Sequence, residues 1–238
     1  MIRFRGTRLK LRIMLAKLAR RPRDVILRRE FNLWAEHDAG KGMEVVHRPI
    51  TERTLEEMSL SAGDRVLELG CGDGWATRTL ATKVGATSLV VGVDVSDGMV
   101  QQARAKSAQF ANLQFICGSA QRLPCKADTF TKLLSVESFY YFEDQSAVLR
   151  ELLRVLAPGG QIFVLICLYS DHPDSLRMLD EVKMPLHVRS AAEYRRMFES
   201  VGWTGVQAKE FVREPEPGSQ PDVHDRALLL IARKPSLS

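Results

Sequence analysis

The four cysteines of this 238-residue chain, Cys71, Cys117, Cys125 and Cys167, form no C-x-x-C pair. That excludes a zinc-finger spacing and a disulfide framework. Three of them fall in or beside apolar runs, where a buried, reduced thiol is expected, and a reducing cytoplasm fits. A bilayer-length apolar stretch is also missing. The longest wholly apolar run, Ile162 to Tyr169, falls well short of the ~20 residues a membrane-spanning helix needs and reads as a buried strand. Charges interrupt every apolar stretch that a secretory signal would need. Internal repeats and low-complexity segments are absent. No His, Asp or Glu set has ligand spacing, so no metal site is expected.

Acids are nearly missing from residues 1–29. Eleven Arg and Lys, from Arg3 to Arg29, stand against Asp24 alone, a local +10 within an overall +5, so residues 30–238 sum to −5. Leu11, Met14, Leu15 and Leu18 recur at the spacing of one helical face, and Pro22 ends or kinks that helix. A basic amphipathic tail of this kind can lie on an anionic membrane, contact nucleic acid or pack on the body. Peripheral membrane contact is the expectation carried forward for residues 1–29. Nothing resembles an RNA-binding module, and no nucleic acid is expected.

Residues 30–60 are predicted to form a helical lid of two short helices. Phe31, Leu33 and Trp34 precede a Gly40-Lys41-Gly42 hinge, and Val45, Val46, Ile50, Leu55 and Met58 carry the next apolar face. Pro49 followed by Thr51-Glu52 marks a fresh helix start. Residues 61–238 are expected to form the core domain. Strands are predicted at about 65–69, 89–93, 113–117, 130–136 and 161–168, with helices at about 75–84, 97–109 and 144–156. This alternation implies an α/β domain with a parallel sheet and helices on both faces. Pro158-Gly159-Gly160 reads as a firm stop between the last helix and its strand. An irregular stretch at 170–189, a helix at about 190–201 ended by Gly202, and β-like runs near 204–212 and 226–233 complete the chain.

Chemistry concentrates in Asp64-Arg65-Val66-Leu67-Glu68-Leu69-Gly70-Cys71-Gly72-Asp73-Gly74-Trp75. An apolar strand carries one acid, Glu68, and breaks into three alternating glycines before a helix. Glycine permits a tight turn and close approach of a ligand to the backbone, and the helix aims its first N–H groups into the same space. A dinucleotide turn needs a third glycine where this chain has Trp75. Asp94, at the end of the second strand, can accept both hydroxyls of a ribose. A buried, unpartnered Glu68 is costly, so a purely structural reason for it is hard to find.

At these residues the chain resembles the class I S-adenosylmethionine-dependent methyltransferases. The resemblance extends to Gly92-Val93-Asp94-Val95-Ser96 with Met99, to Gly118-Ser119-Ala120-Gln121-Arg122-Leu123-Pro124, and to Leu152 through Gly160, and it covers about 61–210. It implies a Rossmann-like, doubly wound, mostly parallel seven-stranded sheet with an N-terminal helical extension. It also implies S-adenosylmethionine as cofactor. Gly70, Gly72 and Gly74 would then let the methionine part lie against the backbone, with Glu68 near its ammonium. Asp94 would bind the ribose, Val95 and Met99 would flank the adenine, and Ala120 would offer its backbone N–H to a ring nitrogen. Ser119 stands where many relatives have an acid that accepts from the adenine amino group. A neutral acceptor is about half as strong as a charged one.

The pattern most resembles the small-molecule branch, which includes the ubiquinone, menaquinone and sterol-type methyltransferases. A small or lipid-like acceptor methylated by in-line displacement is therefore expected. A non-catalytic cofactor-binding regulator and an RNA methyltransferase anchored by the basic tail are the alternatives. A general base is needed only if the acceptor loses a proton as it reacts. The candidates are Glu137, Tyr140 and His47, with Ser138, Tyr141, Trp34, His37, His172 and His187 also placed where this fold opens toward substrate.

Overall fold

The computed structural model describes residues 23–37, 40–175, 179, 184–213 and 223–236. The predicted tail helix, before residue 23, lies outside them. The strands are β1 (Val66–Leu69), β2 (Val90–Asp94), β3 (Leu113–Cys117), β4 (Phe130–Val136), β5 (Leu156–Ile166), β6 (Thr204–Val212) and β7 (Arg226–Arg233). They form one seven-stranded sheet in the order β3-β2-β1-β4-β5-β7-β6. β1 to β5 run parallel, and β7 is antiparallel to both neighbours. β1 and β2 are buried along their whole length, as strands covered by helices on both faces must be. The chain winds outward from β1 to β3 and returns to β4 on the other side of β1. That reversal opens a crevice beyond the carboxyl ends of β1 and β4.

The helices are α1 (Arg23–Glu36), α2 (Gly40–Glu57), α3 (Trp75–Val84), α4 (Asp97–Ala105), α5 (Gln145–Val155) and α6 (Ala191–Val201). Local chemistry sets their ends. The Ser96 hydroxyl accepts from Met99 N–H and starts α4, and Asp144 caps α5 through Ala147 N–H. Ser190 and Glu193 form a reciprocal capping box on α6, which Gly202 ends in a left-handed conformation at φ 106°. One core cluster joins α5 and α6 to the sheet through Leu149, Leu152, Tyr194 and Phe198. A second joins α2 and α3 to the sheet through Leu55, Met58, Leu80 and Phe163.

Several expectations need correction. The first helix begins at Arg23, inside the segment read as tail, so the boundary at residue 29 falls within a continuous helix. Pro49 lies inside α2 and starts nothing. A proline there forfeits a hydrogen bond and costs about 3 kcal/mol. Burial of Ile50, Leu55 and Met58 beyond it carries the helix through. Val45 and Val46, assigned to that apolar face, are exposed. α4 stops at Ala105, short of the predicted 109. β5 follows α5 directly and begins before Pro158, which therefore stops no element. Leu156 pairs with Phe130 and Gln161 with Lys132, so residues 157–160 form a bulge. Backbone bonds to Lys234 on both sides of that bulge hold it in place. Cys117, on the outer edge strand, is exposed.

Candidate active site

β1 delivers Glu68 to the crevice, and the glycines that follow turn the chain back into α3. Gly70, Gly72 and Gly74 all have left-handed backbones, with φ of 76°, 52° and 80°. Their surroundings differ. A Cβ on Gly70 would overlap the Ser138 side chain, and one on Gly74 would meet the Phe115 ring at 2.6 Å. Only at Gly72 is there nothing within 4 Å. The space at Gly70 and Gly74 is thus used by the protein itself, and the open approach to the backbone belongs to Gly72. Gly70→Ala and Gly72→Ala both meet a left-handed penalty of about 1 kcal/mol. Gly70→Ala adds an overlap worth about 1–3 kcal/mol. Urea denaturation should show the larger loss for Gly70→Ala and partial recovery in Gly70→Ala/Ser138→Gly. Equal losses would contradict the close approach.

Three of the carboxylates that line the cavity lie in or beside the glycine turn. Glu68 is 2 % exposed and accepts from the Thr77 hydroxyl. Burial pushes its carboxyl up to about 8, an effect the Thr77 bond only partly offsets. Asp94 accepts from Ser96 N–H at 2.8 Å and from Gly72 N–H at 2.9 Å, so it holds the glycine turn against its own loop. Burial raises its pKa as well, against those two backbone bonds. Asp73 pairs with Lys106 at 2.7 Å through Oδ2, while its buried Oδ1 has no hydrogen-bond partner. An orphaned carboxylate oxygen, an uncharged Glu68 and an open Gly72 backbone fit a ligand that carries a cationic group and a diol. Buried acids without such a partner are costly.

The remaining cofactor expectations divide. Val95, Met99 and Ala120 line the same cavity, as does Gly118. Ser119 does not. Its hydroxyl accepts from Gln121 N–H at 3.2 Å within its own turn. α1 contributes Leu27, Phe31 and Trp34 to the wall, packed with Val95. Phe31 meets Tyr141 edge-to-face at 5.1 Å and Trp34 at 5.5 Å. Asn32 fixes the helix: its Oδ1 accepts from the Ser96 hydroxyl at 2.6 Å and from Gly98 N–H at 3.1 Å, and its Nδ2 donates to Asp97. Trp75, in the slot where a dinucleotide turn has glycine, lines the cavity under the Arg48 guanidinium.

All three leading catalytic candidates reach this cavity. Glu137 follows β4 with a left-handed φ of 50°, a strained conformation for a residue with a side chain. That backbone aims the carboxylate at the Tyr140 hydroxyl, which donates to it at 2.9 Å, and at Cys167 N–H. His47, from α2, stands 3.8 Å from the same carboxylate. Tyr140 is buried, and burial together with Glu137 pushes its phenol well up. Ser138 and Tyr141 also line the cavity, though the Ser138 hydroxyl is engaged with Leu69 O and Ser135. Among the other histidines, His37 is exposed, and His172 is held by Val223 O and Asp174 N–H away from the cavity. His187 packs its backbone on Tyr140 and Gln145 without reaching the site.

Sequence reasoning missed two participants near Glu137, Cys167 and His224. The reason is physical: they join His47 and Glu137 only through the fold, from positions far apart in the chain. Spacing along the sequence, the ground for expecting no metal site, cannot register such a convergence. The partnership of Asp73 was also missed, although an acid inside a glycine turn was the available signal.

Comparisons with known proteins agree with this geometry. Residues 66–160 match the family model described as a methyltransferase domain. Demethylmenaquinone methyltransferase of Staphylococcus saprophyticus is 27 % identical over 191 residues, covering 69 % of this chain and 81 % of that protein. Methyltransferase GfsG of Streptomyces halstedii is 31 % identical over 137 residues, 56 % of this chain and 49 % of its own length. Among solved structures, a chain from the complex between the Haloferax volcanii Trm112 methyltransferase activator and a methyltransferase superposes with a TM-score of 0.77. It is 28 % identical, and the match covers 87 % of this chain and 98 % of that one. An Aquifex aeolicus SAM-dependent methyltransferase shares the fold at a TM-score of 0.60 and 22 % identity, over 77 % and 88 % of the two chains. The matched residues 66–160 include the glycine turn and residues that line the switch-point crevice. Residues 66–160 thus form a methyltransferase domain, and the chain is an S-adenosylmethionine-dependent methyltransferase.

Proposed function

We propose that this enzyme methylates a small, quinone-like aromatic acceptor. The observation that carries the reading is a single cavity lined both by an acid-bearing glycine turn and by the aromatic side chains of Phe31, Trp34 and Tyr141. Aromatic rings bind planar acceptors edge-on or by offset stacking. The name of the Staphylococcus saprophyticus relative, demethylmenaquinone methyltransferase, points to the same class of substrate. When bound, the cofactor supplies an electrophilic methyl group on a sulfonium centre. The residues of this chain then have distinct tasks. Glu68 and Asp73 face the cationic end of the donor, and Asp94 takes the ribose. Val95, Met99 and the Ala120 backbone hold the adenine. Glu137, Tyr140 and His47 present hydrogen-bonding groups at the acceptor end. Alignment of donor and acceptor within one walled cavity supplies a large part of the rate enhancement.

The test supplies radiolabelled S-adenosylmethionine together with a quinol acceptor, either free or carried in anionic vesicles. Label is expected in the quinol fraction in both cases. Truncation should remove residues 1–22 only, because Asp24 and Leu27 line the cavity. If the basic tail serves membrane contact, the truncated chain keeps activity on the free quinol and loses it on the vesicle-borne one. Cofactor binding with no label in any quinol would refute the acceptor class, and equal vesicle activity would refute the tail's role.

A further inference from the structure

Four side chains from four separate elements bring one potential ligand atom each to a common point. His47 comes from α2, Glu137 from the end of β4, Cys167 from the end of β5, and His224 from the short turn Val223–Asp225 before β7. Their ligand atoms all lie within 4.8 Å of one another. His47 Nε2 is 3.2 Å from His224 Nδ1 and 3.8 Å from Glu137 Oε2. A tetrahedral zinc ion, with Zn–N of about 2.0–2.1 Å, Zn–O of about 2.0–2.2 Å and Zn–S of about 2.3 Å, holds its ligand atoms roughly 3.3–3.7 Å apart. The two His47 separations bracket that edge length, and the others, none above 4.8 Å, need side-chain adjustments of about 1 Å at most to complete the polyhedron.

We propose that His47, Glu137, Cys167 and His224 form a site for a zinc-type divalent transition-metal ion. The donor set is two imidazoles, a carboxylate and a thiol. A soft sulfur beside two imidazoles selects zinc-like ions over magnesium or calcium, which take oxygen ligands.

Three further observations favour an ion over an ordinary polar cluster. His47 and Cys167 are 5 % and 1 % exposed, so two of the four donors are withdrawn from water, while Glu137 and His224 are half-buried. Glu137 adopts its left-handed backbone where the carboxylate is delivered to this cluster, a strain that a strong ligand bond would offset. The Cys167 backbone N–H also donates to Glu137 Oε1. That bond orients the carboxylate from outside, as hydrogen bonds to metal-binding carboxylates do. His47 and Glu137 line the cavity as well. The ion would therefore sit at the acceptor end and pin α2 to the sheet.

The site does not depend on methyl transfer, so its test is spectroscopic. The full chain is stripped with a chelator and titrated with Co²⁺. The expected result is one equivalent bound, with intense visible bands of tetrahedral cobalt, a sulfur-to-cobalt charge-transfer band in the near ultraviolet, and displacement of both by one equivalent of Zn²⁺. Cys167→Ser should abolish the charge-transfer band, and His224→Ala should weaken cobalt binding at least tenfold. Cooperative thermal unfolding establishes that each variant is folded, and His224→Gln replaces His224→Ala if the latter is not. Two outcomes would overturn the proposal: no charge-transfer band in the unmodified chain, or bands that persist unchanged in the Cys167 and His224 variants, which would place the ion elsewhere. Failure of the quinol assay with a normal cobalt spectrum would count against the acceptor and leave the metal site standing.

Discussion

Replacing Asp94 by alanine is expected to weaken S-adenosylhomocysteine binding by about 100-fold or more, with the protein still folded. Two ligand hydroxyls on one carboxylate amount to two charge-assisted hydrogen bonds, each of about 1.5–3 kcal/mol. Losing them in part already reaches the ~2.7 kcal/mol that a hundredfold change requires. The same carboxylate tethers Gly72 N–H and Ser96 N–H, so the substitution also loosens the turn that the ligand must lie against. Asp94→Asn separates the two contributions. An amide offers one acceptor oxygen and an NH₂ group that faces donors, so one tether is kept and the other is opposed. Calorimetry should place Asp94→Asn between the wild type and Asp94→Ala. Tight binding by Asp94→Ala would remove this residue from the ribose site.

Glu68 leads to the second large effect, which is read in pH. Its carboxyl is raised from 4.5 to about 8 in the folded, ligand-free chain, chiefly by burial. Between those values the folded state holds a proton that the unfolded state has released. The associated stability is complete below about pH 4.5 and is lost as pH rises through about 8. Its steepest slope is about 1.4 kcal/mol per pH unit. Glu68→Gln keeps the acceptor for the Thr77 hydroxyl and cannot ionise. Thermal melts across pH 5 to 8.5 should therefore show the wild type losing ground to Glu68→Gln as pH rises. Parallel profiles would show that Glu68 is not buried in its neutral form. A cationic ligand group beside Glu68 favours the ionised carboxylate, so cofactor binding at pH 7 should release a proton. Calorimetry in buffers of different ionisation enthalpy would detect it, and the release should vanish in Glu68→Gln.

Much of this was legible in the sequence because the signals were local. Val66 to Leu69 could be read as a strand from its apolar run, and Trp75 to Val84 as a helix from its periodicity. The terminator at Gly202 is residue-level chemistry, and it behaved accordingly. Errors arose where tertiary burial outweighed local preference. Pro49 reads as a helix boundary until the packing of Leu55 and Met58 beyond it is known. Pro158-Gly159-Gly160 reads as a break until pairing with β4 and the bonds to Lys234 show it as a bulge. The site divided the same way. The acids of the nucleotide end lie within or just after strands and were visible, whereas Cys167 and His224 became partners of Glu137 only through sheet order.

Asn32 has a consequence for how two walls of the cavity move together. One amide group ties the helix bearing Phe31 and Trp34 to Ser96, Asp97 and Gly98, the segment immediately after Asp94 and Val95. The aromatic wall and the loop after Asp94 are thereby joined as one mechanical unit. Any displacement of that loop carries the wall with it, so the shape of the aromatic side of the cavity is set in part by the loop that follows Asp94.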